Sequence, residues 1–507
     1  MDRASPDETP GGNGSPAEPD TRGLGPLLAR NIRALGASTV VGKIAGFASM
    51  AVLARFLGLV QFGRYTAAIA LVSIAAALTE AGTGRYVIRE GAQKPEQLGD
   101  IVGRILVLRV ALSAATLVAS VPLGVALGYD GSTVVAVAIF AAASGLRLVA
   151  GTYLLTLQAV ERLGDLARVQ ALQSLLQAAA MTVVAIATRD FVAVSWAVFG
   201  VAVIYPPWAR RTLATRWRGR IRWRTAGFWS ALRVTTPFAV TSTMFVLLTY
   251  LDSVMIQAIK GDRETGLYGI AYRMLLALSV FPTVYTESIA RSMSSLATED
   301  RRAMERVYAR AVTHLLLLAL PLAVGGAMLS RQLIVAVFGG SYADAAPALA
   351  ILVVTLVMVF PGYVNVTAAY ALGLERWLAR VLPVVVGANA AANLVVIPLF
   401  GMKGAAGATL GAELLFIALA AARLARAGLR LGSPAALVKA AIATCLMAAT
   451  VWPLRNAEVV IPILAGGAVY VLALLLLRTF DPKDRELFSG LVRRGPMPEP
   501  AEMPIEM

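Results

Sequence analysis

Apolar residues in this chain run in about fourteen stretches of membrane-spanning length, separated by short polar turns. The stretches fall near 35–57, 62–84, 104–128, 132–158, 165–187, 190–209, 233–258, 265–290, 306–329, 345–371, 379–400, 404–425, 434–454 and 459–477. A helix needs about 20 such residues to cross the hydrocarbon core of a bilayer. The pattern predicts an all-α polytopic membrane protein, and fourteen crossings put both termini on one side.

Charge decides which side. Of the 46 Lys and Arg, 34 lie in the tails and even-numbered loops and 8 in odd-numbered loops (Arg55, Arg64, Arg189, Lys260, Arg263, Arg331, Lys403, Arg455). The other 4 lie within spans (Lys43, Arg109, Arg147, Arg273). Basic residues accumulate in cytoplasmic loops, so both termini and the even loops are expected in the cytoplasm of a bacterial cell, with the spans in its inner membrane. A hydrophobic fraction of 58% exceeds that of soluble chains, so the net charge of +16 calls for no nucleic acid. Its densest block is the sixth loop, where Arg210, Arg211, Arg216, Arg218, Arg220, Arg222 and Arg224 alternate with Trp217 and Trp223. Each basic residue near anionic headgroups gains about 1 kcal/mol and Trp favours the interface, so this loop is expected to touch membrane lipids. A single cysteine, Cys445, excludes an intramolecular disulfide. No loop is long enough to hold a catalytic domain, and the expectation is a protein that is not an enzyme and carries no cofactor or metal.

Two stretches 203 residues apart share one pattern: Gly58-x4-Gly63-x-Tyr65-x2-Ala68 and Gly261-x4-Gly266-x-Tyr268-x2-Ala271. A second pair follows in order, Glu161-Arg162 through Arg168-Val169 and Glu375-Arg376 through Arg380-Val381. Together they predict a division into 1–25, a disordered cytoplasmic tail; 26–210, an N-terminal six-helix lobe; 211–232, a basic cytoplasmic loop; 233–426, a C-terminal six-helix lobe; 427–480, two additional helices; and 481–507, a cytoplasmic tail. Six is even, so the lobes share one orientation, and a cavity between them can open to either side by rocking. Helix breakers within spans (Gly36, Gly42, Gly46, Pro237, Pro282, Pro321 with Gly325 and Gly326, and Pro361-Gly362) are expected where backbone faces protein or water.

A charge on a span is costly unless it faces a wet cavity or a partner. Lys43, Arg147 and Arg273 are therefore candidate substrate contacts, with structural ion pairs as the alternative; Arg109 lies near enough to the cytoplasm to reach it. Asp252, Glu287 and Glu413, and more weakly Glu80, are candidates for carrying a proton or cation that couples transport to the membrane potential. His314 is expected to hydrogen-bond between helices, as are Asn365, Asn389 and Asn393.

The ordered motifs Ala54-Arg55-Phe-Leu-Gly58, Glu80-Ala-Gly82, Leu251-Asp252-Ser253, Tyr272-Arg273, Phe338-Gly-Gly-Ser-Tyr342 and Asn389-x3-Asn393-x3-Ile397-Pro398-x2-Gly401 resemble those of the multidrug/oligosaccharidyl-lipid/polysaccharide (MOP) exporters. Within that superfamily the chain is most similar to the Wzx-type polysaccharide flippases, over roughly residues 30–425. The resemblance implies a substrate of oligosaccharide linked to polyprenyl diphosphate, carried between leaflets for cell-surface polysaccharide biosynthesis, with polysaccharide-assembly proteins as further partners. Lys43, Arg147 and Arg273 would then compensate the diphosphate. Lipid II flippases are a neighbouring branch with an Arg where this chain has Lys43. That substitution weakens the lipid II alternative, because Lys lacks the two-pronged geometry of Arg. A multidrug–cation antiporter of the same superfamily is a further alternative, expected to line its cavity with acids and aromatics rather than cations.

The charge bias makes a direct prediction. In a Cys445→Ser background, an impermeant thiol reagent applied to intact cells should label Ser132→Cys and leave Arg218→Cys unlabelled; labelling of the latter from outside contradicts the orientation.

Overall fold

The computed structural model describes residues 24–80, 83–222, 228–430 and 434–479, which form helices and short connections with no strand among them. The expected tails at 1–25 and 481–507 fall outside these residues almost entirely, as do Trp223, Arg224 and part of the loop between the predicted lobes. Helix α1 (Leu24–Glu80) is two spans in one, broken at Gly58 (φ 74, ψ 172). Next come α2 (Thr83–Gln93), α3 (Leu98–Ala126), α4 (Gly131–Ala159), α5 (Leu163–Thr188) and α6 (Phe191–Arg216). The second half runs through α7 (Phe228–Lys260), α8 (Asp262–Leu278), α9 (Val280–Glu299), α10 (Arg301–Met328), α11 (Ser330–Phe338), α12 (Ala346–Val354) and α13 (Leu356–Ala371). Helix α14 (Glu375–Arg426) is again double, broken at Gly401, and α15 (Pro434–Leu454) and α16 (Val460–Leu476) close the chain. Among the described residues ten helices are long and apolar enough to cross a membrane, and α12 with α13 forms one more span bent by 43°. Counting α1 and α14 as two each and adding the shorter α16 recovers the expected fourteen segments of a multi-pass membrane protein.

Several boundaries differ from the sequence expectation. Span 8 is α8 and α9 in series, and its helix runs on to Glu299 rather than ending near 290. Its break at Ser279 precedes Pro282 by one turn, where a proline ring crowds the preceding carbonyls. Span 10 breaks at Thr355, between α12 and α13, while Pro361 and Pro321 sit inside unbroken helices. Helix α2 is an amphipathic segment that the span map does not contain.

The sequence repeat has a physical basis. Gly261 (φ 80, ψ −168) repeats the conformation of Gly58, a left-handed geometry that side chains with a Cβ resist. The helices that start after these two glycines cross each other at Gly63 and Gly266. A Cβ on Gly63 would lie 1.9 Å from Asp262 O, and one on Gly266 would lie 2.6 Å from Leu59 O. Leu59 and Asp262 are themselves equivalent in the repeat, so the contact is two-fold symmetric in residue identity. The second repeat pair is shifted. The turn after α4 places Glu161 at φ 60 with Arg162 N donating to Leu157 O at 2.8 Å, and the turn after α13 places Gly373 at φ 66 with Leu374 N donating to Ala369 O at 2.8 Å. Glu161 thus corresponds to Gly373 and not to Glu375, because the positive-φ residue fixes the register of the turn.

Around this crossing lies the largest apolar core, which includes Tyr65, Tyr268, Tyr308, Tyr342 and Phe360. Tyr342 donates its hydroxyl to Ala54 O at 2.7 Å and packs edge-on against Phe62. Helices α15 and α16 attach to α10 through Met447, Val451 and Tyr470, the last donating to Leu317 O.

Gly266→Ala should lower the thermal midpoint of the detergent-purified protein, since overpacking a tight contact costs about 1–3 kcal/mol or more. Gly407→Ala, where a Cβ meets nothing within 4 Å, should leave it unchanged or raise it.

Candidate functional site

Helix α7 is a shared wall. Val246 and Tyr250, one turn apart and therefore on one face, border a cavity of about 460 Å³. Phe245, Leu248 and Thr249, on the adjoining face, border a second of about 500 Å³. A larger groove of about 650 Å³ runs along α14 beside Gly404, Gly407 and Gly411, and its lining is apolar apart from Asn389 and Lys403.

The first cavity gathers Glu80 from α1, Arg109 from α3, Arg147 and Gln158 from α4, Gln170 from α5 and Tyr205 from α6. Its two arginines differ in kind. Arg109, 2% exposed, donates from Nε to Thr83 Oγ1 at 2.9 Å and from Nη1 to Leu148 O at 3.1 Å and Thr152 Oγ1 at 3.0 Å. It is built into the wall, where Glu80 is the charge that attracts it. The sequence expectation that Arg109 reaches the cytoplasm is therefore corrected: its hydrogen bonds point it inward. Arg147 is half-buried and makes no hydrogen bond or ion pair among the described residues; its electrostatic neighbours are the hydroxyls of Tyr65, Tyr205 and Tyr250. Arg273, on α8, likewise lacks a hydrogen-bond or ion-pair partner among the described residues, and it acts on the same Tyr65 hydroxyl as Arg147 does. Arg147 and Arg273 thus both act electrostatically on one tyrosine, while Lys43 is drawn instead to Glu287 on α9. Lys43, Glu287 and Arg273 line neither cavity.

Asp252, fully buried on α7, sits in a cage of donors. Tyr268 donates its hydroxyl at 2.6 Å, Asn393 its Nδ2 at 2.7 Å, and Thr409 its hydroxyl. Asn393 Nδ2 also donates to Asn389 Oδ1 at 3.1 Å, and Asn393 Oδ1 is buried without a donor among the described residues. The cage joins α7, α8 and both halves of α14 across the Gly401 break. Asn389 and Asn393, expected as helix glue, are in it, and their spacing of four residues was the available signal: it aims both at one place. Tyr268 and Thr409 carried no comparable sign, the first being read as part of the repeat. Glu413 is elsewhere, on the wall of the second cavity, with no hydrogen bond or ion pair among the described residues. His314 meets Tyr285 at 2.8 Å between α10 and α9, as expected of an interhelical hydrogen bond.

The end of the bundle formed by the odd-numbered loops is bolted shut. Arg64 bridges Asp262 at 2.8 Å and Asp130 at 3.2 Å, and Arg55 donates to Ala336 O and Val337 O. Arg263 pairs with Asp344 and Lys260 donates to Pro398 O. Half of the basic residues that depart from the charge bias are accounted for by these contacts. The Asp130 carboxyl is held below the usual carboxylate range, first by the Ser132 hydroxyl and then by Arg64. That bridge therefore stays charged at neutral pH and is lost only in acid.

Comparison with known proteins agrees with this architecture. A family model of polysaccharide biosynthesis proteins matches residues 28–291. The probable flippase AglR of Haloferax volcanii is 28% identical over 253 residues, 48% of this chain and 53% of that protein, so the match spans about half of the curated relative. In three dimensions the chain is similar to the lipid II flippase MurJ in an inward closed conformation, with a TM-score of 0.72 at 13% identity, covering 88% of this chain and 98% of that one. A multidrug-resistance MATE transporter of the MOP superfamily in an inward-facing conformation gives a TM-score of 0.57 at 15% identity, covering 77% and 98%. At such identities the likeness establishes the fold.

The contrast between the arginines is testable by membrane abundance. Arg109→Met removes three hydrogen bonds to a charged group, each contributing about 1.5–3 kcal/mol, and should deplete the protein severalfold. Arg147→Gln and Arg273→Gln should leave abundance near that of the unmodified protein, because neither breaks a hydrogen bond or ion pair among the described residues.

Proposed function

The chain belongs to the polysaccharide biosynthesis protein family, and from that premise we propose that it is a flippase moving polyprenyl-diphosphate-linked oligosaccharide across the cytoplasmic membrane by alternating access. The observation that carries this is Arg147: a cation at membrane depth, beside a cavity and without a counterion among the described residues. Burying an uncompensated charge is costly, and a ligand bearing negative charge removes that cost. A diphosphate supplies two or more charged oxygens to which guanidinium groups donate in pairs. Arg147 and Arg273, which both act on Tyr65, are the proposed diphosphate contacts, with Arg109 fixed in the cavity wall; Lys43, which interacts with Glu287, has the weaker claim.

In the proposed cycle the lobes 26–210 and 233–426 rock about the Gly63–Gly266 crossing. With the termini in the cytoplasm, the Arg64 and Arg55 contacts would close the outer side, and releasing the sugar outward would require them to part. Asp252 is the proposed coupling carboxylate. Its cage spans the Gly401 break, so loading or unloading a proton or cation there would change how α7, α8 and α14 hold together. Glu287 and Glu413 lack a comparable connection.

Depleting the protein should cause a polyprenyl-diphosphate-linked oligosaccharide to accumulate in the inner leaflet. A peptide-bearing intermediate would instead favour a lipid II substrate. In the same cells Arg147→Gln and Arg273→Gln should abolish export at normal abundance, and Arg273→Lys should restore it only in part, since a point charge replaces a two-pronged donor. Normal export in both Gln variants would remove these residues from the site. Asp252→Asn should abolish the dependence of transport on an imposed ion gradient in vesicles; unchanged dependence would exclude Asp252 from coupling.

A further inference from the structure

The cavity on the other face of α7 has no lysine or arginine in its lining. Its wall carries the hydroxyls of Thr249, Ser294 and Tyr363, the rings of Tyr272 and Phe416, and the carboxylate of Glu413. A diphosphate would be repelled here, since the one formal charge is negative. A pyranose fits instead. Its hydroxyls can donate to the carboxylate and exchange hydrogen bonds with the side-chain hydroxyls, while its C–H faces pack on the rings. The volume of about 500 Å³ lies within the range of about 300–1,000 Å³ common to small-molecule sites.

Glu413 is the telling residue. Hydrogen bonds to a carboxylate are about twice as strong as neutral ones, and a buried acceptor left unmatched is expensive. Among the described residues nothing donates to it; a sugar hydroxyl or acetamido N–H would. The two cavities adjoin along α7, with Tyr250 bordering the first and Thr249 the second. The two cavities share α7 as a wall, so a ligand with its diphosphate at Arg147 would have to pass this helix to bring its first sugars to Glu413.

We propose that the second cavity is a saccharide subsite for the neutral sugars next to the diphosphate, with Glu413 as the principal hydrogen-bond acceptor, and that it rejects acidic sugars by like-charge repulsion. This rests on the flippase reading above, of which it assigns the sugar end. Glu413 then acts by hydrogen bonding, and coupling is left to Asp252.

The test uses the full chain in lipid nanodiscs at pH 8. Saturation-transfer NMR is recorded with the methyl glycosides of N-acetylglucosamine, galactose and glucuronic acid, and inorganic pyrophosphate binding is measured separately by calorimetry. At least one neutral glycoside should receive saturation, the glucuronide should not, and saturating pyrophosphate should leave the neutral signal in place. Glu413→Gln, whose amide oxygen still accepts, should weaken glycoside binding no more than about threefold, whereas Glu413→Leu should weaken it at least about tenfold, with pyrophosphate affinity unchanged. Should Glu413→Leu fail to fold, Tyr363→Ala is expected to show the same selective loss. Absence of transfer to either neutral glycoside, preference for the glucuronide, or full glycoside binding in a folded Glu413→Leu protein would each overturn the proposal. Glycoside binding without pyrophosphate binding would support this subsite while contradicting the diphosphate site.

Discussion

A charge inside an apolar bundle has to be answered by something, and how each one is answered organises this molecule. Water solvates an exposed arginine at almost no cost, but at membrane depth the same group needs hydrogen bonds, a counterion or a wet cavity. Arg109 is answered by two threonine hydroxyls and a carbonyl. Asp252 is answered by a cage of hydroxyls and an amide. Arg147, Arg273 and Glu413 have no such partners among the described residues, and the proposed substrate supplies what they lack: phosphate oxygens for the two cations and sugar hydroxyls for the carboxylate.

The backbone contact at Gly63 and Gly266 gives these groups a frame. Two helices that start with the same glycine conformation approach so closely that neither glycine can carry a Cβ. Tyr65 and Tyr268 each follow two residues later. Tyr65 then feels both Arg147 and Arg273, and Tyr268 holds Asp252. One repeated element therefore places one tyrosine beside the proposed anion contacts and the other on the proposed coupling carboxylate. The ionic contacts at the odd-loop end surround the same crossing, so separating them and rotating the halves would be a single motion.

Much of the fold was legible in the sequence because membrane spans announce themselves by length and hydropathy, and the Gly58 and Gly261 repeat showed which hairpins correspond. Helix breaks were less legible. Pro361 and Pro321 lie within unbroken helices while Thr355, an ordinary residue, marks the bend, because a proline's missing N–H can be tolerated where neighbouring helices pack around it. For the site, intramembrane charge pointed to Arg147, Arg273 and Asp252, but could not say which charges meet. Lys43 interacts with Glu287 and lines neither cavity on α7, and Arg109 is the cation of the four that the described residues anchor by hydrogen bonds. Those outcomes depend on helix rotation, and a span that is apolar all round carries little information about which face turns inward.

The most direct measurement is transbilayer movement of a short polyprenyl-diphosphate-linked glycan in proteoliposomes holding equal amounts of the unmodified protein and of Arg147→Gln. The proposed mechanism requires movement by the former and its loss, by at least about a hundredfold, in the latter, with both proteins showing the same thermal midpoint. Equal movement by a stably folded Arg147→Gln protein would show that Arg147 is not where the diphosphate is held.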